Sequence, residues 1–399
     1  MIIKPRIRGF LCTTAHPTGC AQEVENQINY TESQGVRSDG PKRVLVIGAS
    51  GGYGLASRIS AAFGFGASTI GVFFERPAVG SRTASPGWYK TAAFTKKAEA
   101  RGLYTANING DAFSQEIKVA ACDLIEKDLG QIDLIIYSLA SPARELSDGS
   151  IVRSVLKPIG EPFEGRTIDI NTRELKSISL QPASAEEVSD TVRVMGGEDW
   201  ELWVQTLLER GLLAENCVTT NYTHLGSKVT WPIYHHGTIG KAKEDLDRAR
   251  NCLDKIMRPV SGKAYVVVMK GLVTQAASAI PGMSIYLSLL FKAMKRAGTH
   301  EGGIEQTTRF FNTQLFGGQG FRKDKDDRIR MDELELADEI QNYVADNWSL
   351  VNKHTLDQIT DFDGYRQAYL QMHGFEVKGT NYEVEVDPEV SIELQAGKV

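Results

Sequence analysis

Two rhythms of apolar residues alternate along the chain. Continuous runs rich in β-branched residues, Arg43–Ile47, Thr69–Glu75, Leu103–Asp111, Ile132–Pro142 and Val218–Thr223, read as strands covered on both faces. Between them lie helix-like stretches: Leu55–Phe63, a polar one around Ala92–Arg101, Ser114–Leu129, and a periodic one near Trp200–Val204 and Leu207-Leu208. Strands alternating with helices predict an α/β architecture, a doubly wound parallel sheet with helices on both sides. Only one short strand-like segment, Lys4–Thr13, precedes the series. The rhythm breaks from Ala143 to about Ser189, with the turn signal Ser147-Asp148-Gly149-Ser150 and a β-like piece at Arg166–Ile170. That predicts an insertion at about residues 143–190 acting as a lid or substrate flap. No linker, charge block or repeat interrupts the 399 residues, so one elaborated domain with extra helices is expected.

Gly48-Ala49-Ser50-Gly51-Gly52-Tyr53-Gly54 joins the first of these strands to the first helix. Such a turn lets backbone approach a pyrophosphate closely, and the N–H groups of the helix start supply donors for its oxygens. The spacing Gly-x-x-x-Gly-x-Gly resembles the Rossmann-fold variant of short-chain dehydrogenases and reductases. The same residues also spell Gly48-x-Ser50-x-Gly52, the nucleophile elbow of a serine hydrolase. That elbow normally follows several strands of its sheet, and neither Gly54 nor an acid ending the next strand has a role there. Glu75 is that acid, placed beside Phe74 to hydrogen-bond the adenosine ribose. Its charge opposes a ribose 2′-phosphate and favours NADH over NADPH, a preference tempered by Arg76. In parallel sheets ligands bind beyond the carboxyl ends of the strands, where Gly48 to Gly54, Glu75, Asp111 and Leu139-Ala140 all fall. Asp111 suits either adenine contact or a helix N-cap.

Composition narrows the class. With 42% hydrophobic and 24% charged residues the chain reads as an ordinary globular enzyme, and a formal net charge of -5 gives no footprint for nucleic acid. Its longest apolar run, Met283–Phe291, is too short to span a membrane, and Met1-Ile2-Ile3-Lys4-Pro5-Arg6 lacks the apolar core of an export signal. Five scattered cysteines without Cys-x-x-Cys pairs fit reduced thiols in the cytoplasm. The histidines show no ligand spacing, and adjacent His235-His236 would diverge in an extended segment, so no metal is expected.

A second cluster of candidate chemistry is Tyr234 with Lys241 and Lys243. In nicotinamide reductases a phenol donates to a developing oxyanion, while an ammonium holds the nicotinamide ribose and lowers the phenol's pKa. Ile239, Ala242, Leu246, Leu253 and Ile256 mark the buried face of a helix starting near Thr238; Lys243 lies at its edge and Lys241 points to solvent. Nine positions apart, Tyr234 and Lys243 converge only if Tyr234 sits in a loop before that helix. The same pair would serve a carbonyl reductase of the short-chain dehydrogenase type. A non-catalytic dinucleotide-sensing protein would need only the glycine turn.

These segments, with Asn109-Gly110-Asp111-Ala112-Phe113, Tyr137–Pro142, Met195–Trp200 and Tyr234-x8-Lys243, resemble the FabV-type enoyl-acyl-carrier-protein reductases and their trans-2-enoyl-CoA reductase relatives, from Met1-Ile2-Ile3 to Gly374-Phe375. The resemblance implies a single NAD-binding catalytic domain, a monomer, that reduces the C2=C3 bond of trans-2-enoyl thioesters on acyl carrier protein or coenzyme A. It implies Tyr234 and Lys243 as catalytic residues. It implies a cofactor frame of Gly48, Ala49, Ser50, Gly51, Gly52, Tyr53 and Gly54 at the pyrophosphate and Phe74-Glu75 at the ribose. Asp111-Ala112 would meet adenine, and Leu139-Ala140, Lys243 and Leu272-Val273-Thr274 would surround the nicotinamide. The family's substrate-side tyrosine is replaced by His224, and a proline after Ile280-Pro281 by Ser284; both lie near the expected acyl pocket. The periodic run Met283–Met294 fits either plain core or a wall of that pocket.

Overall fold

The computed structural model describes residues 1–318 and 320–397. At its centre is an eight-stranded sheet of β1 (Arg43–Ile47), β2 (Ser68–Phe73), β3 (Thr105–Asn109), β4 (Ile132–Tyr137), β5 (Leu213–Thr223), β6 (Lys263–Val268), β7 (Ile329–Arg330) and β8 (Ala396–Gly397). Their order is β7-β6-β5-β4-β1-β2-β3-β8, with every neighbouring pair parallel. The chain winds outward in opposite directions from β1 and β4, so the crevice between them is the switch point of a doubly wound sheet.

Alternation along β1 sends its side chains into two cores. Leu45 and Ile47 join a cluster with Ile125, Trp203 and Leu253 from helices Gln115–Asp128, Glu198–Glu209 and Thr238–Ile256. Val44 and Val46 face the opposite way, toward Ala61 and Phe65 of helix Gly52–Phe65 and toward Phe310 and Phe311. A separate apolar core gathers Met283–Ala297, Asp338–Trp348 and Phe362–Met372, and it includes Tyr234.

Several elements differ from the pattern expected of the sequence. Lys4–Thr13 forms a small hairpin, Ile7–Arg8 with Leu11–Cys12, outside the main sheet. The helix expected at Ala92–Arg101 begins earlier and spans Pro86–Ala100, with Ser85 as N-cap and proline in the first turn, where its missing N–H costs nothing. Trp88 and Tyr89 in that turn donate to the carbonyls of Val390 (2.7 Å) and Pro388 (2.7 Å), which straps the C-terminal segment over it. Helix Pro17–Ser33, capped by the His16 ring, was not signalled by periodicity. The insertion is two hairpins, Ala143–Glu145 with Ile151–Arg153 and Phe163–Ile168 with Leu175–Leu180, followed by helix Ala185–Met195. Among the described residues no helix is long and apolar enough to cross a membrane.

The loop after β3 is held by a buried ion pair. Lys118 Nζ donates to Asp199 Oδ1 (2.7 Å) and to the carbonyls of Ala112 (2.9 Å) and Phe113 (2.9 Å), and the Tyr137 hydroxyl donates to Asp199 Oδ2 (2.9 Å). Both charged side chains are 2% exposed. Removing one partner strands the other's charge, so Lys118→Met should lose roughly 3–5 kcal/mol of stability, read as a lower urea midpoint. The double variant Lys118→Met/Asp199→Leu should recover part of that loss; losses that simply add would refute the coupling.

Candidate active site

The carboxyl ends of β1, β2, β3, β4, β5 and β6 bring Gly48–Gly54, Phe74-Glu75, Asp111-Ala112, Leu139-Ala140, His224 and Met269–Thr274 to one edge of the sheet. The first and last glycines of the turn have no room for a side chain. Gly48 holds φ +85°, and a Cβ there would stand 1.9 Å from Ser138 O; one on Gly54 would stand 2.0 Å from Gly48 O. The N–H groups of Gly48 and Ala49 both donate to Val72 O (2.9 and 3.0 Å). Among the described residues nothing accepts from the N–H of Ser50, Gly51, Gly52, Tyr53 or Gly54 at the start of helix Gly52–Phe65. A helix start with unpaired donors and a side-chain-free approach fits a pyrophosphate.

Tyr53 acts here through its hydroxyl, which lies 2.7 Å from Lys270 O and 2.8 Å from Gln306 Oε1; the same amide oxygen accepts from Lys270 N–H (2.8 Å). That ties the turn to the segment after β6, where Thr274 Cγ2 lies 4.0 Å from where a Gly52 Cβ would be.

At the end of β2, Ser50 Oγ donates to Glu75 Oε1 (2.8 Å), so its partner is a carboxylate and not a histidine, and the hydrolase reading gains no support. Glu75 is fixed through its backbone by Asn109, which accepts from Glu75 N–H (2.8 Å) and donates to Glu75 O (3.0 Å). Gly87, at the start of helix Pro86–Ala100, leaves the space that the Glu75 carboxylate fills. Burial pushes that carboxyl upward, opposed by hydrogen bonds from Ser85 and Ser50 and by Arg76 and Lys90. Phe74 beside it is 76% exposed, an open aromatic face at the sheet edge. Asp111 is not the cap: Ser114 caps Gln115–Asp128, while Asp111 Oδ1 closes a short turn onto Phe113 N–H (2.9 Å). Leu139 is half-buried and Ala140 exposed.

Tyr234 lies in a series of turns before helix Thr238–Ile256, its N–H bonded to Thr230 O (2.9 Å). This is the loop placement that convergence with Lys243 requires. Lys243 is half-buried, and no acceptor for its ammonium is found among the described residues; burial pushes it down to about 8. Lys241 is exposed and paired with Glu244 (2.9 Å). The Tyr234 phenol is pushed upward by burial and then by the charge of Glu335, opposite to the pull expected from Lys243, so it stays protonated. His235 and His236 do not diverge: they sit in the same turns, their rings 5.2 Å apart and both against Trp231. No group of three potential metal ligands occurs among the described residues.

The first turn of helix Met283–Ala297, which shares an apolar core with Tyr234, borders two cavities. One, of about 400 Å³, is lined by Val229, Ile285 and Trp348; the other, of about 220 Å³, by Ile280, Pro281, Ser284 and Tyr365. Ser284 does not face the cavity with a free hydroxyl: it accepts from Ile168 N–H (2.8 Å) and bonds Thr167 (2.9 Å), fastening the hairpin to the helix. Sequence reasoning missed Glu335. Wholly buried, it accepts from Gly271 N–H (2.7 Å) and from the Tyr286 hydroxyl, and nothing in the polar stretch around it marks it out.

Comparison with known proteins agrees with this geometry. Family models match residues 82–316 (trans-2-enoyl-CoA reductase catalytic region), 2–80 (NAD(P)H binding domain of trans-2-enoyl-CoA reductase) and 323–386 (enoyl reductase FAD binding domain). The last segment holds a two-residue strand and helices buried against Met283–Ala297 rather than a strand, glycine turn and helix, so it does not fit a flavin. Curated relatives include the enoyl-[acyl-carrier-protein] reductase [NADH] of Serratia proteamaculans, 51% identical over 99% of both chains, and that of Opitutus terrae, 51% identical over 98% of this chain and 99% of its own. Among solved structures, trans-2-enoyl-CoA reductase of Treponema denticola in complex with NAD superimposes with a TM-score of 0.94 at 46% identity, covering 99% of this chain and all of its own. The Clostridium acetobutulicum trans-2-enoyl-CoA reductase in complex with NADH gives 0.95 at 38% identity, covering 97% and 98%. With a full-length match to these proteins and the same doubly wound sheet, the chain belongs to the trans-2-enoyl-CoA reductase family.

Proposed function

We infer that the protein reduces the C2=C3 double bond of trans-2-enoyl thioesters with NADH. The observation that carries this reading is the pairing, on one sheet edge, of a glycine turn and helix start with unpaired N–H donors and a protonated, buried tyrosine before a helix that carries an unpaired, half-buried lysine. Bound NADH supplies a hydride to C3. The C2=C3 electron pair shifts toward the thioester oxygen as an enolate, and C2 then takes a proton. Tyr234 donates a hydrogen bond to that oxygen, and Lys243 holds the nicotinamide ribose. Ser50 to Gly54 receive the pyrophosphate, Phe74 and Glu75 the adenosine ribose, and Asp111 and Ala112 the adenine. Leu139, Ala140 and Leu272 to Thr274 line the nicotinamide end, with His224 and the first turn of Met283–Ala297 on the acyl side.

Relatives named for acyl carrier protein and for coenzyme A both support a thioester carried on a pantetheine arm, as in fatty acid synthesis. A monomeric enzyme completes the reading, and five free cysteines support a cytoplasmic location.

Tyr234→Phe should lower kcat for crotonyl-CoA by about 10²-fold or more while NADH binding stays close to normal, since only the hydroxyl donor is lost. Near-normal kcat in that variant would refute its role. Lys243→Met should raise KM for NADH and lower kcat, and Lys241→Met should do neither; the reverse outcome would make Lys241 the working lysine.

The Lys243 ammonium is charged below about pH 8 and neutral above it. kcat/KM for NADH, which reports the free enzyme, should therefore fall as pH rises through about 8, and the decline should be absent from Lys243→Met. Glu75→Gln should narrow the preference for NADH over NADPH by removing a charge that repels the 2′-phosphate; an unchanged ratio of kcat/KM values would contradict that assignment.

A further inference from the structure

Glu75 is held from two sides. On one, Asn109 of β3 accepts from its N–H (2.8 Å) and donates to its carbonyl (3.0 Å). On the other stands the start of helix Pro86–Ala100, whose N-cap Ser85 accepts from Arg76 N–H (2.9 Å) and donates to Arg76 O (3.2 Å). Two residues on, a Cβ at Gly87 would lie 2.0 Å from Glu75 Oε1. A carboxylate packed this closely on a helix start keeps its direction only while that start stays in place.

Both supports are gripped by one segment distant in sequence, residues 388–397. Trp88 Nε1–H donates to Val390 O (2.7 Å), and the Tyr89 hydroxyl donates to Pro388 O (2.7 Å) while accepting from Ala84 N–H (3.0 Å). Ile392 and Leu394 pack on the apolar cluster that buries Trp88 and Tyr89. The segment then turns onto β3. Gln395 Oε1 accepts from Asn107 N–H (2.6 Å), Gln395 N–H donates to Asn107 O (2.9 Å), and Ala396 and Gly397 pair with Ile108 and Asn109. Gly397 holds φ +96°, and a Cβ on it would stand 1.8 Å from Asn109 O, so the segment lies directly against the residue that fixes the Glu75 backbone.

Resting on the reading of Glu75 as the ribose partner of NADH, we propose that residues 388–397 are a specificity-determining clamp, which holds Glu75 in position and thereby sets the preference for NADH over NADPH. Charge rejects a 2′-phosphate only when it is held close, because the repulsion falls with distance and a carboxylate free to turn away escapes it. A fixed carboxylate also accepts from the ribose hydroxyls without first losing rotamer freedom. Trp88, Ile392 and Leu394 act through Glu75 and are positioning residues. Tyr234 and Lys243 lie outside the helix start and strand that the clamp grips.

The test compares the wild type with Trp88→Phe, which removes one N–H donor, and with Ile392→Ser/Leu394→Ser, which loosens the segment, in the reduction of crotonyl-CoA. Each variant should narrow the ratio of kcat/KM for NADH to that for NADPH by roughly 3- to 30-fold. The change should come through a higher KM for NADH, with kcat at saturating NADH unchanged. In a Glu75→Gln background the same substitutions should leave the ratio where Glu75→Gln alone puts it, which a general loosening of the fold would not do. In a readout free of turnover, NADH bound to the wild type should slow amide hydrogen exchange across residues 388–397, and NADPH at equal occupancy should slow it less, since coupling between sites is reciprocal. Trp88→Phe and the exchange measurement decide the matter if the serine pair does not fold. An unchanged ratio, narrowing that persists in full on top of Glu75→Gln, or exchange indifferent to NADH overturns this inference alone. Equal use of both cofactors by the wild type overturns the Glu75 assignment beneath it, and failure of the wild type to oxidise NADH with an enoyl thioester overturns the enoyl-reductase reading.

Discussion

The site depends on how closely the main chain comes together where β1 and β4 part. With 1.9 Å between Ser138 O and the place a Gly48 Cβ would occupy, and 2.0 Å between Gly48 O and a Cβ on Gly54, only glycines let strand, turn and helix meet. The N–H groups from Ser50 to Gly54 have no acceptor among the described residues, because the first turn of a helix offers its donors no partner within the helix. A fold normally leaves such donors to water, and at a helix start they suit the oxygens of an anion.

Buried polar groups then hold the surrounding loops in register with that turn. The Tyr53 hydroxyl reaches Lys270 O and Gln306, joining the glycine turn to the segment after β6. Lys118 and Asp199 hold the loop after β3 in the same way. Arg58, wholly buried, spreads its charge over Asn107 Oδ1 (2.9 Å), Thr105 Oγ1 (2.7 Å) and Ala106 O (2.7 Å), linking helix Gly52–Phe65 to β3. The glycine turn, the loop after β3 and the segment after β6 thus each have a polar anchor beneath them.

Much of this was legible in the sequence because it rests on local patterns. The central strands are covered on both faces and so appear as unbroken apolar runs, and the glycine turn carries its own steric signature. Periodicity also placed Lys243 at the edge of a buried face and Lys241 outside it, as the structure does. The misses have a different physics. Helix Pro17–Ser33 buries Gly19, Cys20 and Thr31 along with Val24 and Ile28, so its apolar stripe is faint. The start of Pro86–Ala100 reads as loop until the C-terminal segment docks on Trp88 and Tyr89, a contact across about three-quarters of the chain. β8 joins the sheet as only two residues, too short for any alternation to show. Glu335 gains its importance from Gly271, Tyr286 and His224, none of them near it in sequence.

The account's central claim is the fate of one hydride. Crotonyl-CoA should be incubated with the protein and NADH deuterated at the transferable C4 position, and the products examined by mass spectrometry and NMR. The account predicts butyryl-CoA with its thioester intact, one deuterium at C3, and one NAD formed for each molecule of product. An aldehyde or alcohol from reduction of the carbonyl, free crotonate from hydrolysis, or butyryl-CoA without deuterium at C3 would contradict it.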